Sequence, residues 1–309
     1  MENDGSYKSG ILLVVSAYVF WGLLPIYWKS IQSVPSLEIL GHRVVWSAVF
    51  LITVQVIRNR WDWIRTELKD SKTRLTFIGT SCLIGFNWFL YVWAVNSGFI
   101  VETSLGYFIN PLVSVFLGVL ILREHLRALQ WLAITIAAVG VLYMTFVYGA
   151  FPWIALALGF SFGIYGLLRK IGSLGALDGL TFETGALFSP ALLYLILLES
   201  EGLGSFAHIS LRTTLLLSLS GVATAFPLLL FATSLRRIPL STVGILQYIL
   251  PTMLFVLGVF IYKETFSVTR LIGFIIIWIA LILFSLDSIV FQRRFRRIKS
   301  QQSPAGVYR

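Results

Sequence analysis

Apolar residues run through this chain in stretches of about twenty, the length of an α-helix that crosses hydrocarbon. Charged or turn-forming residues end each one. Ten such stretches stand out, at 9–29, 37–57, 75–96, 101–122, 128–147, 151–169, 178–198, 213–234, 241–262 and 269–290. Each is continuously apolar and shows no polar–apolar alternation, which excludes a transmembrane β-barrel. The pattern predicts an all-α polytopic membrane protein with ten transmembrane helices.

The pattern also repeats. "PLVSVFLGVLILRE" (111–124) aligns without gaps to "PTMLFVLGVFIYKE" (251–264), an offset of 140 residues that sets Arg123 against Lys263. At the same offset Phe86 meets Phe226 and Tyr91 meets Phe231. "YVFWGLL" (18–24) resembles "FGIYGLL" (162–168) at an offset near 144. Two five-span halves follow, 1–147 and 148–291, with a basic tail at 292–309. Five is odd, so the second half enters the membrane in the opposite sense. Such inverted repeats belong chiefly to secondary transporters with a site near the midplane.

Composition agrees with the pattern. Of 309 residues, 57% are hydrophobic and 12% charged, against about 25% charged in a soluble protein. A net charge of +10 would suggest nucleic acid in a soluble chain, but here the basic residues lie between spans. With the N-terminus placed in the cytoplasm, nineteen of the 24 Lys and Arg residues fall on the cytoplasmic side. Lys29, Arg212, Lys263 and Arg270 fall opposite, and Arg43 alone lies inside a span. This bias puts both termini in the cytoplasm. The first span reads as a retained signal anchor, since no small-residue cleavage site follows it. The basic stretch 58–74, with Trp61 and Trp63, predicts a short helix on the membrane surface, and the tail can lie on anionic lipid. The single cysteine, Cys82, sits in an apolar run, where packing is its expected role.

Arg43 lies six residues beyond Leu37, about 9 Å along the helix, between the outer interface and a midplane about 15 Å deep. A cation there costs about 3 kcal/mol on insertion scales, so it is expected to face the bundle interior. His42, beside it, is either a proton carrier or a neutral imidazole that holds a neighbouring helix. Glu38 and Glu102 begin helices, where the macrodipole favours acids, and Glu102 is also a candidate partner for Arg43. Glu183 lies five residues into the seventh span, on the cytoplasmic side. Glu183, His42 and Glu102 are the proton-coupling candidates. Asn87, Trp88, Tyr91, Tyr107, Asn110, Gln247, Tyr248 and Trp21 supply aromatic and amide groups that suit a cavity for a flat or amphipathic solute. Pro25, Pro111, Pro227 and Pro251 mark places where helices bend. Trp28 reads as an interfacial belt residue. The three histidines are far apart and no nucleotide-binding loop is present, so no cofactor, metal or ATP drive is expected.

Five motifs together, "FWGLLPIYWK" (20–29), "HRVVWS" (42–47), "NWFLYVWAVN" (87–96), "ETSLGYFINPL" (102–112) and "LSTVGILQYILPT" (240–252), resemble the RarD-type permeases of the EamA branch of the drug/metabolite transporter superfamily. The resemblance covers essentially the whole chain. It implies two EamA halves in the bacterial cytoplasmic (inner) membrane and transport of a small organic solute. The general EamA pattern has its counterparts in Trp21-Gly22, Arg43 and Arg123-Glu124. The second half departs from it, with Tyr165-Gly166 in place of Trp-Gly and Glu183-Thr184 near where a His-Arg pair would fall.

The expected function is therefore secondary transport, as an exporter, of a small metabolite or drug-like solute by alternating access around a midplane cavity. His42 and Arg43 would meet the solute's anionic group or the coupling proton. The alternative is a membrane-embedded sensor or scaffold that binds a ligand without moving it. An intramembrane enzyme is disfavoured by the lack of a catalytic cluster. Expected partners are the solute, a coupling proton, membrane lipid and a second copy of the chain as a homodimer, but no nucleic acid.

Overall fold

The computed structural model describes residues 4–59, 61–263 and 268–302; Arg60, Glu264 and residues 303–309 of the basic tail lie outside the described residues. Among those described, every regular element is helical: α1 (Asp4–Lys29), α2 (Ser36–Arg58), α3 (Asp62–Thr66), α4 (Ser71–Asn96), α5 (Ile100–Leu120), α6 (Ala128–Tyr148), α7 (Trp153–Ile171), α8 (Ala176–Ser200), α9 (Leu211–Leu235), α10 (Leu240–Leu246), α11 (Ile249–Val256) and α12 (Val268–Gln302). Nine segments among them are long and apolar enough to cross a membrane, Leu240–Ile261 counting as one, and Leu271–Asp287 within α12 is a shorter apolar helix. The protein is thus an all-α polytopic membrane protein.

Apart from the tenth, whose helix α12 runs past the predicted end at 290 to Gln302, the predicted spans fall within a few residues of the helices, because the residues that end the apolar runs also end the helices. Asp70 opens α4 by accepting from the Thr73 amide at 2.9 Å. Ser210 opens α9 through the Thr213 amide at 3.1 Å. Asn59 closes α2 in the left-handed region, φ 48°, a conformation asparagine tolerates. The surface helix expected in 58–74 is present as α3, and its Trp63 is buried with Phe77 and Leu174.

Two expectations change. The ninth span is not one helix but α10 and α11, parted at Gln247–Tyr248 and followed by a π turn at Leu257–Ile261. Pro251 has no N–H for the Gln247 carbonyl four residues back, and its ring crowds that carbonyl. The Leu250 amide takes the carbonyl instead, at 3.0 Å, in a tighter turn. Cys82 is exposed, not packed.

The repeat is visible in the backbone. Arg123 and Lys263, aligned by the sequence offset, both adopt left-handed φ, at 54° and 53°. This conformation is uncommon outside glycine. At Arg123 the turn brings the Glu124 carboxylate onto the start of α10. There it accepts from the amides of Leu240 and Ser241 at 2.6 and 2.8 Å. Gly118 leaves the room, since a Cβ there would lie 2.7 Å from Glu124 Oε2.

The helices form two compact units. The larger comprises α1–α5 with α7–α11. Within it α2 crosses α9 with backbones in close approach: a Cβ on Gly221 would overlap the main chain of Trp46 and Ser47. The Ser47 hydroxyl donates to the Gly221 carbonyl at 3.0 Å. Small residues at such crossings let dispersion act between backbones. The smaller unit is α6 with α12. Its helices meet where Gly140 lies against Ile276 and Gly273 against Met144, and Arg127 Nε donates to Asp287 Oδ2 at 2.6 Å.

Candidate functional site

A cavity of about 220 Å³ lies inside the larger unit, walled by helices of both halves of the chain. Trp21, Pro25 and Trp28 come from α1, and Arg43 from α2. Asn87, Trp88 and Tyr91 come from α4, and Thr103, Tyr107 and Asn110 from α5. Leu158 and Phe162 belong to α7, Thr224 and Leu228 to α9, Gln247 to the α10–α11 break, and Leu250 and Leu254 to α11. Most of these lie between the middle of their helix and the end at which α2 and α5 begin. We call this end distal, and the end at which α1 begins proximal.

Arg43 sets the electrostatics. Its Nε donates to Thr224 Oγ1 at 3.0 Å, and its Cζ lies 4.9 Å from the Trp28 ring centroid and 5.4 Å from that of Trp88. Two aromatic faces therefore flank the guanidinium, an arrangement that favours a cation. Among the described residues, neither terminal nitrogen makes a hydrogen bond and no carboxylate pairs with the guanidinium. Asn87 spends its amide donors on the Leu158 carbonyl and Ser161 Oγ, at 3.0 and 2.8 Å, which ties α4 to α7. Tyr91 and Tyr107 meet edge to face at 6.1 Å. Asn110 is 7% exposed, and its Oδ1 has no partner.

Eight of the ten substrate-binding candidates thus surround one cavity: Trp21, Arg43, Asn87, Trp88, Tyr91, Tyr107, Asn110 and Gln247. The other two lie outside its lining. His42, about 100° round α2 from Arg43, stacks on Phe206 at 4.9 Å, with Nε2 3.8 Å from Glu38 Oε1. Tyr248 is fully buried and donates to the Phe108 carbonyl at 3.2 Å. Glu102 accepts from the Ile154 amide at 3.2 Å at the start of α7. Glu38 does more than begin α2, because it accepts from the Ser205 amide and hydroxyl at 2.6 and 2.8 Å and so holds the α8–α9 loop. Sequence reasoning passed over Trp28, Phe162 and Thr224. Trp28 was detectable, lying seven residues, two turns, beyond Trp21 on the same face of α1. Thr224 and Phe162 carry no such signal.

The family model described as the EamA-like transporter family matches residues 8–146 and again 151–286. The chain belongs to the EamA-like transporter family. It is 46% identical over 289 residues to the uncharacterized transporter YojE of Bacillus subtilis (strain 168), covering 93% of this chain and 96% of that one. It is 42% identical over 297 residues to protein RarD of Streptomyces exfoliatus, covering 96% and 94%. A solved crystal structure at 17% identity, covering 93% of this chain and 99% of its own, has the same fold with a TM-score of 0.66.

In this EamA-like chain the two departures in the second half meet each other. Tyr165 donates from its hydroxyl to Glu183 Oε2 at 3.1 Å. Glu183, a proton-coupling candidate, also has a cation beside it: Arg169 Nε lies 3.5 Å from its Oε1, with both side chains 1% exposed. Arg169, counted from sequence among the topology-setting cations, is buried, with its guanidinium 5.4 Å from the Phe77 ring and Nη2 on the Ala176 carbonyl at 3.0 Å. The pair is loose: Arg169 Nε and Nη1 and Glu183 Oε1 make no hydrogen bond. An aromatic septum separates it from the cavity. Phe162, which lines the cavity, packs on Trp21, Phe231 and Tyr165 at 6.1, 5.4 and 5.7 Å. Around the pair the proximal end is stitched by cations on helix-end carbonyls. Lys170 Nζ reaches Leu235 and Ile238 at 2.8 and 2.6 Å, and Arg236 Nη2 reaches Gly172 and Leu174, each at 2.6 Å.

Proposed function

We propose that the protein is a secondary transporter that exports a small organic solute through this cavity by alternating access. The observation that carries the reading is the cavity itself. Helices of both inverted halves wall it, and a cation with unused donors stands within it. Rocking of one half against the other then carries a bound solute from one end to the other. The stitched proximal end is the closed side in this conformation, and the septum around Phe162 is the barrier. The two halves are 1–147 and 148–291, and both termini face the cytoplasm of a bacterial cell. The coupling proton, if one is used, binds Glu183, where neutralising the carboxylate releases Arg169. The groups that face this carboxylate are Arg169, Tyr165 and Thr80, with Asp178 and Arg236 nearby.

Counterflow in proteoliposomes tests the reading. A solute that stabilises the purified protein against heat should exchange across the membrane, and Arg43→Ala should abolish both binding and exchange while leaving expression intact. Binding without exchange would make the protein a sensor instead. Unchanged binding in Arg43→Ala would return Arg43 to a structural role.

A further inference from the structure

Among the described residues the lining of the cavity carries one formal charge: Arg43 is the only ionisable acid or base there besides the tyrosines Tyr91 and Tyr107. The nearby carboxylates are committed elsewhere, Glu38 to Ser205 and Glu102 to the start of α7. A partly desolvated guanidinium with open terminal nitrogens is costly unless an anion or water completes it. Its planar fork matches a carboxylate bidentately, whereas an ammonium ligand would find a like charge and no acid. The two aromatic faces nearest the guanidinium, Trp28 and Trp88, already carry it.

Shape and the remaining polar groups narrow the ligand further. The lining also contains the flat rings of Trp21, Tyr91, Tyr107 and Phe162. Asn110 Oδ1 has no hydrogen-bond partner among the described residues, and Gln247 with the Tyr91 and Tyr107 hydroxyls also lines the cavity, so the other polar groups of the site are neutral. At about 220 Å³ the cavity falls below the ~300–1,000 Å³ of drug-sized pockets. It suits a single-ring metabolite.

We propose that the ligand is a small organic monoanion, with a carboxylate on Arg43, a flat apolar body against the aromatic walls, and no ammonium group. This rests on the reading of the cavity as the solute site. It distinguishes an acid from an amino acid of the same shape.

Four shape-matched probes test it: 3-phenylpropanoate, its neutral amide 3-phenylpropanamide, the zwitterion phenylalanine and the cation 2-phenylethylamine. Binding to the purified full chain is read by calorimetry. 3-Phenylpropanoate should bind at least about tenfold tighter than each of the others, the worth of one charge-assisted pair. Arg43→Gln should erase that preference, and Arg43→Lys, which keeps the charge but not the fork, should restore part of it. Equal or tighter binding of phenylalanine or the amine would overturn the proposal. So would no binding by any probe, or a preference that survives Arg43→Gln. If the variants fail to fold, the wild-type order alone decides. Counterflow of the same probes separates the two claims. The predicted order without flux refutes transport only, and flux with the opposite order refutes the monoanion only.

Discussion

Replacing Glu183 with glutamine keeps the shape of a fully buried side chain and removes its charge, which leaves Arg169 beside it uncompensated. Breaking one partner of a buried ion pair costs about 3–5 kcal/mol. The low end applies here, because the 3.5 Å contact contains no hydrogen bond between the charged atoms. If the pair forms only while the proximal end is closed, the loss of about 3 kcal/mol falls on that state alone. An opened end would hydrate Arg169 with or without Glu183. The equilibrium between the two states then shifts about a hundredfold, enough to bring a state populated at about 1% to near parity. The assay places single cysteines in a Cys82→Ser background, Ser81→Cys on α4 beside the pair and Thr103→Cys in the cavity lining, and follows alkylation by N-ethylmaleimide. Glu183→Gln should raise the rate at Ser81→Cys at least about tenfold and lower that at Thr103→Cys about twofold. The opposite signs are the essential result. Rates that both rise would report loosened packing, and unchanged rates would report a pair that is the same in both states; either would refute the argument.

Three further outcomes follow from the fold. Gly221→Ala should destabilise the protein by about 1–3 kcal/mol, the usual cost of overpacking, because a Cβ there meets the α2 backbone; thermal unfolding in detergent measures it. Glu124→Gln should lower the melting temperature by an amount equivalent to about 1–2 kcal/mol, as in loss of a helix cap, because the amides of Leu240 and Ser241 lose a charged acceptor. Asp70 lies outside the spans, and the Thr73 amide, then its hydroxyl, hold its carboxyl below the usual carboxylate range. Its contribution to α4 is therefore complete above the unfolded value near 3.9 and lost as pH falls through the lower folded value. Hydrogen exchange at Thr73 should accelerate across that window in the wild type and show no such step in Asp70→Asn.

Why some of this was legible in the sequence and some was not has a physical basis. Hydrocarbon admits only helices and closed barrels, whose backbones pair internally, so continuous apolar runs located all but the last of the spans to within a few residues. The repeat at an offset of 140 has a counterpart in the backbone, the left-handed turns at Arg123 and Lys263. Arg43 was identifiable because an arginine in a span is too costly to be accidental. The aromatic and amide groups of α4 and α5 were identifiable because they interrupt otherwise aliphatic faces.

Other features depended on neighbours distant in the chain. His42 and Arg43 are adjacent in sequence, yet helical rotation sends one to Phe206 and the other to the cavity. Arg169 looked like one more loop cation until α7 and α8 packed it against Glu183. Glu124 looked like the end of a repeat motif, but its work is done on α10, 116 residues away. The sequence by itself determined where the apolar helices lie, their repeat and the cost of the charges within them. Only the tertiary structure decided which buried charge has an opposite charge beside it, as Glu183 has Arg169, and which has none among the described residues, as Arg43. Hydrophobic length is a property of each segment, whereas the pairing of a buried charge depends on the side chains that another helix brings within a few ångströms.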